Sequence, residues 1–432
     1  MVWGFNHYYS LAIFMADFFL GLIINTVTSL IMDLTSGYPF WLIKDGLPFS
    51  YPKLQKDIHA EVVILGGGIS GALVAYYLVK AGVDCVILDK RTIGLGSTSA
   101  STSLLQYEID TALSVLLHKA GVENAVRAYR LCDEAIDKLE AIAKETGLRF
   151  YEYRGSLYYA TNKKNVPFLK EEYEVRKRNG FKVSYLDAGS VKDQYGFNAP
   201  AAIFSNHAAQ TDAYLFTHCL HQHNIKRGAQ IFDRSAIVKI EEHKNAVKLS
   251  TTEGNIIVAK KIVYATGYEV VNFIKKPVVK LKSTYAVASE HFEKQVSFWK
   301  DNTLIWNTAD PYLYMSATND DRIIIGGRDE EFYDAGKRDK LIEQKSEQLV
   351  NDFKKLFPHI SFVPEFKWAG TFGSTKDGLP YIGTYNGKPH SYFALGFGGN
   401  GIIFSQVAGE IIADLITGKK NKDAAIFSFS RT

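Results

Sequence analysis

The six residues Gly66-Gly67-Gly68-Ile69-Ser70-Gly71 constrain this chain more than any other segment. They follow a short apolar run, Glu61-Val-Val-Ile-Leu65, which reads as a central parallel strand buried on both faces. They precede helical spacing over residues 70–81, where Leu73, Tyr76, Tyr77 and Val79 recur, and Gly82 stands where a helix C′ glycine belongs. A second apolar strand over 83–88 ends at Asp89. The pattern predicts one βαβ unit. In such a unit Gly66 makes the tight strand-to-helix turn, Gly68 lets the backbone approach a pyrophosphate, and Gly71 allows close helix–strand contact. The pyrophosphate would meet the N–H groups and positive end of the helix, together with Ile69 and Ser70. Asp89 would accept ribose hydroxyls. A carboxylate there disfavours a 2′-phosphate, hence NADP, by charge repulsion. It does not separate NAD from FAD.

Further along, helices are expected over 112–120 and 122–146, the second amphipathic through Val126, Leu131, Ile136, Leu139 and Ile142. Strands are expected over 150–161, 236–242, 246–251 and 256–265. Thr211 and Asp212 can cap a helix running toward Arg227. Residues 280–330 are strand-rich, with strands at 283–289, 312–316 and 323–327, and a long helix is expected over 335–357. The chain closes with a strand at 392–395, a glycine turn, and a helix over 402–417.

Three more segments separate the two dinucleotides. They are Lys90-Arg91-Thr-Ile-Gly-Leu-Gly-Ser97-Thr98-Ser99-Ala-Ser-Thr102; Ile262-Val-Tyr-Ala265-Thr266-Gly267; and Trp368-Ala-Gly370-Thr with Asp377-Gly-Leu-Pro-Tyr-Ile-Gly383 and Ala394-Leu-Gly-Phe-Gly398-Gly399-Asn400-Gly401-Ile402. In this order they resemble the signatures of FAD-dependent oxidoreductases of the D-amino-acid oxidase superfamily, whose members include glycine oxidase, sarcosine oxidase and other amine oxidoreductases. The resemblance covers residues 58–418. It implies an α/β fold in which a Rossmann-like FAD-binding domain of discontinuous segments (58–150, 205–275 and 366–432) carries a β-rich substrate domain (151–204 and 276–365). It adds Lys90, Arg91, Ser97, Thr98, Ser99, Val238, Ala265, Thr266, Gly267, Gly370 and the turn from Gly398 to Ile402 to the cofactor contacts. In that family the last glycine turn and its helix lie against the flavin pyrimidine edge, where a helix N-terminus stabilises negative charge. No cysteine stands near Gly370, where some relatives tether FAD, so non-covalent FAD is expected.

The resemblance implies oxidation of the C–N bond of a small amine or amino-acid-like substrate by hydride transfer to flavin N5, with dioxygen or an electron acceptor reoxidising the flavin. The protein's part is then positioning and charge stabilisation, and no catalytic base is assigned. Sarcosine-oxidase-like relatives hold a substrate carboxylate with an arginine and a lysine; the matching positions here are Gln106 and Ile403. An arginine of glycine-oxidase-like relatives aligns near Ser316. Tyr312 and Tyr314, alternating on one strand face, are candidates for the pocket wall, and Tyr153, Tyr158 and Tyr159 are weaker ones. Arg328 is expected to contact substrate or to pair with Asp329 or Glu330, and Arg154 is the other cation that can reach the cavity. A dehydrogenase of alcohols or hydroxy acids feeding a membrane quinone, and a flavin-binding subunit without turnover, remain alternatives.

Composition excludes other classes. The chain is 47% hydrophobic and 22% charged, which excludes disorder. Fifty basic against 46 acidic residues give a net charge of +4, too balanced to argue for nucleic acid. Cys85, Cys132 and Cys219 form no CxxC pair and leave one unpaired in any disulfide scheme, which favours a reducing, cytoplasmic setting. His218, Cys219, His221 and His223 are read as the end of a surface helix, with no metal expected. Residues 1–57 are an extension. Its apolar run at 11–30 is long enough to span a bilayer, but Asp17 inside it costs up to ~3 kcal/mol near the bilayer centre. A membrane anchor, a packed helix, and an upstream extension of a chain that truly starts at Met32 all fit.

Overall fold

The computed structural model describes residues 32–274, 277–293 and 298–431, so the apolar run at 11–30 lies outside the described residues. The chain divides into two units, 1–34 and 35–432, and the second holds every element described below.

The expected βαβ unit comes first. Strand β1 (Ile58–Leu65) leads through the glycine turn into helix α1 (Ile69–Lys80), and Gly82, at φ +76°, stops the helix before β2 (Cys85–Leu88). Helix α1 is buried on nearly every side, as a helix between a sheet and other helices must be. Strand β3 (Leu104–Gln106) follows, then the 25-residue helix α2 (Val122–Thr146) and β4 (Tyr151–Tyr159). Helix α3 (Val166–Arg178) and strand β5 (Ala201–Thr211) fill a stretch for which the sequence patterns predicted no element. Asp212 caps helix α4 (Ala213–Lys226), its carboxylate accepting from the Leu215 N–H at 2.8 Å.

Strand β6 (Ile256–Tyr264) then returns to the first sheet. The middle of the chain supplies β7 (Lys280–Ser289), β8 (Leu304–Asn307), β9 (Tyr314–Ala317) and β10 (Ile323–Glu330). The helix expected over 335–357 is two, Ala335–Lys340 and α5 (Ile342–Leu356). The break falls at Leu341, and the buried guanidinium of Arg338 ties the short helix to Thr371 and Ser36 at 3.0 and 2.6 Å. Strand β11 (Pro364–Ser374), β12 (Lys388–Leu395) and α6 (Gly401–Ile416) complete the chain.

Two sheets result. One is eight-stranded, with a parallel centre in the order β12-β6-β1-β2 and then Gln230–Phe232. Its register sets Leu65 beside both Leu88 and Tyr264, and Tyr264 beside Phe393, so the carboxyl ends of four strands open onto one crevice. That edge is where ligands bind in open parallel sheets. Helix α1 packs against both α4 and α6. The other sheet has ten strands, mostly antiparallel, in the order β11-β7-β10-β9-β8-β4-β5-β3 after an edge strand at Thr35–Gly37. Among the described residues no helix is long and apolar enough to cross a membrane.

Candidate cofactor and substrate site

At the crevice each glycine of the first motif has a visible reason. Gly66 has φ +104°, a left-handed conformation that L side chains rarely adopt, and its N–H donates to the Leu88 carbonyl at 2.8 Å. A Cβ on Gly71 would collide with the Gly66 carbonyl oxygen, so only glycine lets α1 lie this close to the strand end. Gly68 is the N-cap residue of α1 and offers no side chain to its N–H groups. A Cβ there would stand 2.8 Å from Thr98 Oγ1, the atom that accepts from the Ile69 N–H at 3.1 Å.

Asp89 folds back onto this turn. Its two oxygens accept from the N–H groups of Gly67 (2.7 Å) and Arg91 (2.8 Å), and burial pushes its carboxyl above the usual range. Each carboxylate oxygen keeps a further lone pair for a ribose hydroxyl. Lys90 and Arg91 both converge on Glu269, each at 2.8 Å, beside the Ala265-Thr266-Gly267 end of β6. Ser99 donates to the Gly96 carbonyl. The hydroxyls of Ser97 and Thr266 are buried without a hydrogen-bond partner. Buried orphan hydroxyls are costly unless a ligand meets them, and these two flank the motif's crevice. Glycine turn, ring of strand ends, acid and orphan donors fit a dinucleotide. Val238 is 48% exposed in the strand Ile237–Glu242, which begins just after Ser235, whose N–H donates to the Asp89 carbonyl at 2.8 Å.

The histidines of α4 correct the surface reading. His218 and His221 are fully buried. His221 Nε2 lies 2.9 Å from the Gly67 carbonyl, directly behind the glycine turn, and His218 Nδ1 lies 3.0 Å from the Tyr51 hydroxyl. Burial pushes their pKa values down to about 4 and about 3. They are neutral packing groups that brace the turn. Among the described residues no group of three His, Cys, Asp or Glu side chains is placed to hold a metal.

At the other end of the crevice the last glycine turn is laced to the segment after β3. Asn400 Nδ2 donates to the carbonyls of Gln106 (3.0 Å) and Glu108 (2.8 Å). The Gly399 N–H donates to Asp110 Oδ2 at 2.7 Å, and the Tyr312 hydroxyl donates to Asp110 Oδ1 at 3.1 Å. The Tyr268 hydroxyl reaches the Gly398 carbonyl at 3.3 Å. Helix α6 starts here at Gly401, where an added Cβ would meet nothing, while Ile402 turns into the core.

From this turn an aromatic wall leads across the second sheet. The rings of Tyr312 and Tyr314 lie 5.7 Å apart, Tyr312 meets Trp306 at 6.2 Å, and Trp306 stacks on Tyr158 at 3.8 Å. Gln106 Nε2 and Trp306 Nε1 both donate to Ser156 Oγ, at 2.9 and 3.1 Å. Asp110 has exposed surface, yet burial is the largest force on its carboxyl and raises its pKa. The region bordered by Asp110, the last glycine turn and this aromatic wall is the candidate cleft. Asp329, on β10, shares it: burial pushes its carboxyl up to about 6, with Thr284 opposing the shift by hydrogen bonding and Asp110 adding to it by charge.

The other expected residues fall away from this cleft or into its walls. Ser316 is buried and accepts from Gln210 at 3.0 Å, and Ile403 is 1% exposed in the core. Arg328 corrects the sequence expectation. It pairs with neither Asp329 nor Glu330; its guanidinium turns to Asp352 on α5, with Nε at 2.8 Å. The strand is irregular here, with Gly327 at φ +136°, Arg328 at φ +59° and a register shift against β7, and this bulge lets Arg328 and Asp329 reach different neighbours. Arg154 pairs with Glu152. Tyr153 faces away, donating to Asp137 on α2, while Gly370 sits within β11. Sequence reasoning missed Asp110, Tyr268 and Trp306, and met Asp329 only as a partner for Arg328. No local motif marks them, although Asp110 stands four residues beyond Gln106.

Fold and crevice together define a dinucleotide-binding protein. Residues 61–415 match the profile of the FAD dependent oxidoreductase family, DAO. Glycine oxidase of Bacillus subtilis is 25% identical over 379 residues, covering 84% of this chain and 95% of its own. Gamma-glutamylputrescine oxidoreductase of Escherichia coli is 23% identical over 380 residues, covering 85% and 86%. The crystal structure of glycine oxidase from Geobacillus kaustophilus superposes with a TM-score of 0.73 at 22% identity, covering 87% of this chain and 99% of that one. The chain belongs to the FAD dependent oxidoreductase family, and its cofactor is FAD.

Proposed function

We propose that this enzyme oxidises the C–N bond of an amine that carries no carboxylate beside the reacting carbon. Bound FAD supplies the two-electron acceptor; the chain's own residues orient the substrate and exclude water. One observation carries the reading. The positions aligned with the cationic carboxylate clamps of relatives hold Gln106, Ser316 and Ile403, and the structure engages or buries all three. Arg328 is turned to Asp352, Arg154 to Glu152, and the Lys282 ammonium sits 2.6 Å from Glu331. A carboxylate buried without a cation is costly. The similarity to an oxidoreductase of gamma-glutamylputrescine supports an amine substrate.

In the same reading the cofactor contacts run from Gly66 through Asp89, Ser97 and Thr266 to Gly401, and Tyr312, Tyr314 and Gln106 wall the substrate space. FAD is held non-covalently, the setting is cytoplasmic, and dioxygen or another acceptor closes the cycle. The test is anaerobic bleaching of the flavin band near ~450 nm by a substrate panel. Amines without a nearby carboxylate should reduce the flavin, and glycine, sarcosine and D-alanine should not. Efficient reduction by the three amino acids overturns the proposal. Denaturation should release the yellow colour from the chain.

A further inference from the structure

Two carboxylates reach the cleft from distant parts of the chain. Asp110 comes from the segment after β3 and is held in place by the Gly399 N–H and the Tyr312 hydroxyl. Asp329 comes from β10, and its Oδ1 has neither accessible surface nor a hydrogen-bond partner. The rings of Tyr312, which bonds Asp110, and Tyr314 lie 5.7 Å apart, and both acids act by charge on both phenols, each in an environment that disfavours charge on the phenol itself. Lys282 is the basic residue whose charge reaches both acids, and Glu331 already occupies its ammonium.

We infer that Asp110 and Asp329, with the faces of Tyr312 and Tyr314, form the recognition site for an ammonium group of the substrate. The inference rests on the amine chemistry proposed above and adds the charge state in which the substrate is bound. An alkylamine arrives protonated at neutral pH, because its pKa is about 10. Taking that cation out of water costs several kcal/mol, and a carboxylate at contact distance with an aromatic face beside it offsets the cost. The same two acids repel a substrate carboxylate. The cleft therefore selects by two opposite effects: attraction of the ammonium and exclusion of the α-amino acid.

Burial disfavours the charged form of both acids. A cation entering the cleft reverses that balance, since an opposite charge within about 4–6 Å favours the ionised carboxyl. Asp329 Oδ1 has the free acceptor capacity for it. Asp110 keeps one lone pair on each oxygen beyond the two bonds it already accepts.

The experiment titrates the holoenzyme anaerobically with n-butylammonium and with its neutral isostere 1-butanol, reading perturbation or bleaching of the flavin spectrum. n-Butylammonium should saturate at a concentration at least tenfold lower than 1-butanol. Asp329→Asn should weaken the cation tenfold or more and leave the alcohol unchanged, while Asp329→Glu keeps most of the preference. Asp110→Asn should act in the same direction. Equal response to cation and alcohol in the unsubstituted enzyme overturns the inference. So does a cation preference that survives Asp329→Asn. If the substituted chains fail to hold FAD, the comparison of the two isosteres on the unsubstituted enzyme still decides. Amine reduction indifferent to Asp329 removes the ammonium site and leaves the amine chemistry standing; no reduction by any amine, with the cation still bound, does the reverse.

Discussion

The two ends of the crevice are built by opposite means. The proposed nucleotide end is built mainly on backbone, a run of six consecutive residues and two adjoining loops, to which Asp89, Ser97 and Thr266 add side chains. The proposed substrate end is built from side chains, Asp110, Tyr268, Tyr312, Tyr314 and Asp329, brought together from four separate stretches of chain. Backbone recognition needs particular φ/ψ angles and the absence of side chains, so it tolerates almost no substitution. Side-chain recognition needs only a sheet to hold residues in register, so its chemistry can change while the fold stays. On the proposed reading, that difference lets a chain 25% identical to a glycine oxidase keep the glycine turn while its substrate end changes.

The largest expected effect separates the two kinds of glycine within the motif. Gly71→Val forces a side chain into the Gly66 carbonyl, a backbone atom that cannot give way, and should abolish soluble holoprotein. Gly68→Val meets only the end of Thr98, so that chain should fold and yet lose its flavin, because the new side chain fills the pyrophosphate's approach. Flavin content and circular dichroism measured on both variants check this. A Gly68→Val protein at full flavin occupancy would refute the assignment of the nucleotide end.

A smaller effect sets the two ends against each other in pH. His221 is fully buried, with a folded pKa of about 4 against 6.5 when unfolded. Between those values the unfolded chain binds the extra proton, so stability falls as pH falls. By pH 4 the loss is about 3 kcal/mol. Asp329 has the opposite sign: its folded pKa of about 6 exceeds the usual value of 3.8, so the folded chain binds the extra proton and gains stability as pH falls through that window. Denaturant melts of His221→Gln between pH 7 and 4 should lose part of the acid destabilisation, whereas Asp329→Asn melts should show a steeper one. Identical pH slopes in both variants would mean that neither group titrates as the packing implies.

The smallest effect is expected at Arg328. Its pair with Asp352 is partly exposed, and such pairs contribute about 0–1 kcal/mol. Arg328→Ala should leave the rate of flavin bleaching by amines unchanged and lower stability by less than about 1 kcal/mol. A large loss of bleaching would return Arg328 to the substrate end.

The range of the interactions that build each end decides how legible it is in the sequence. The strand, glycine turn, helix and acid of residues 58–89 are contiguous, and each has a local physical signature; the structure reproduces them to within a few residues. Helix α4 is legible as a helix, but its histidines read as surface groups, because spacing on a helix does not reveal that Tyr51 and the glycine turn cover two of them. Strand β5 carries Ser205, Asn206 and His207 amid its apolar residues, so its alternation is broken, and only pairing with β4 and β3 makes it a strand.

By itself the sequence determined the dinucleotide fold, the cofactor's anchoring turn and the order of the flavoprotein signatures, because turns, helix starts and strand ends are governed by residues a few positions apart. Only the tertiary structure decided which charges border the candidate cleft. Arg328 and Asp329 are neighbours in the chain, and a bulge at Arg328 (φ +59°) turns one to Asp352 and leaves the other within reach of the Asp110 charge. Asp110 is 202 residues from Tyr312, and the hydrogen bond that joins them exists only because the last glycine turn is folded against the segment after β3.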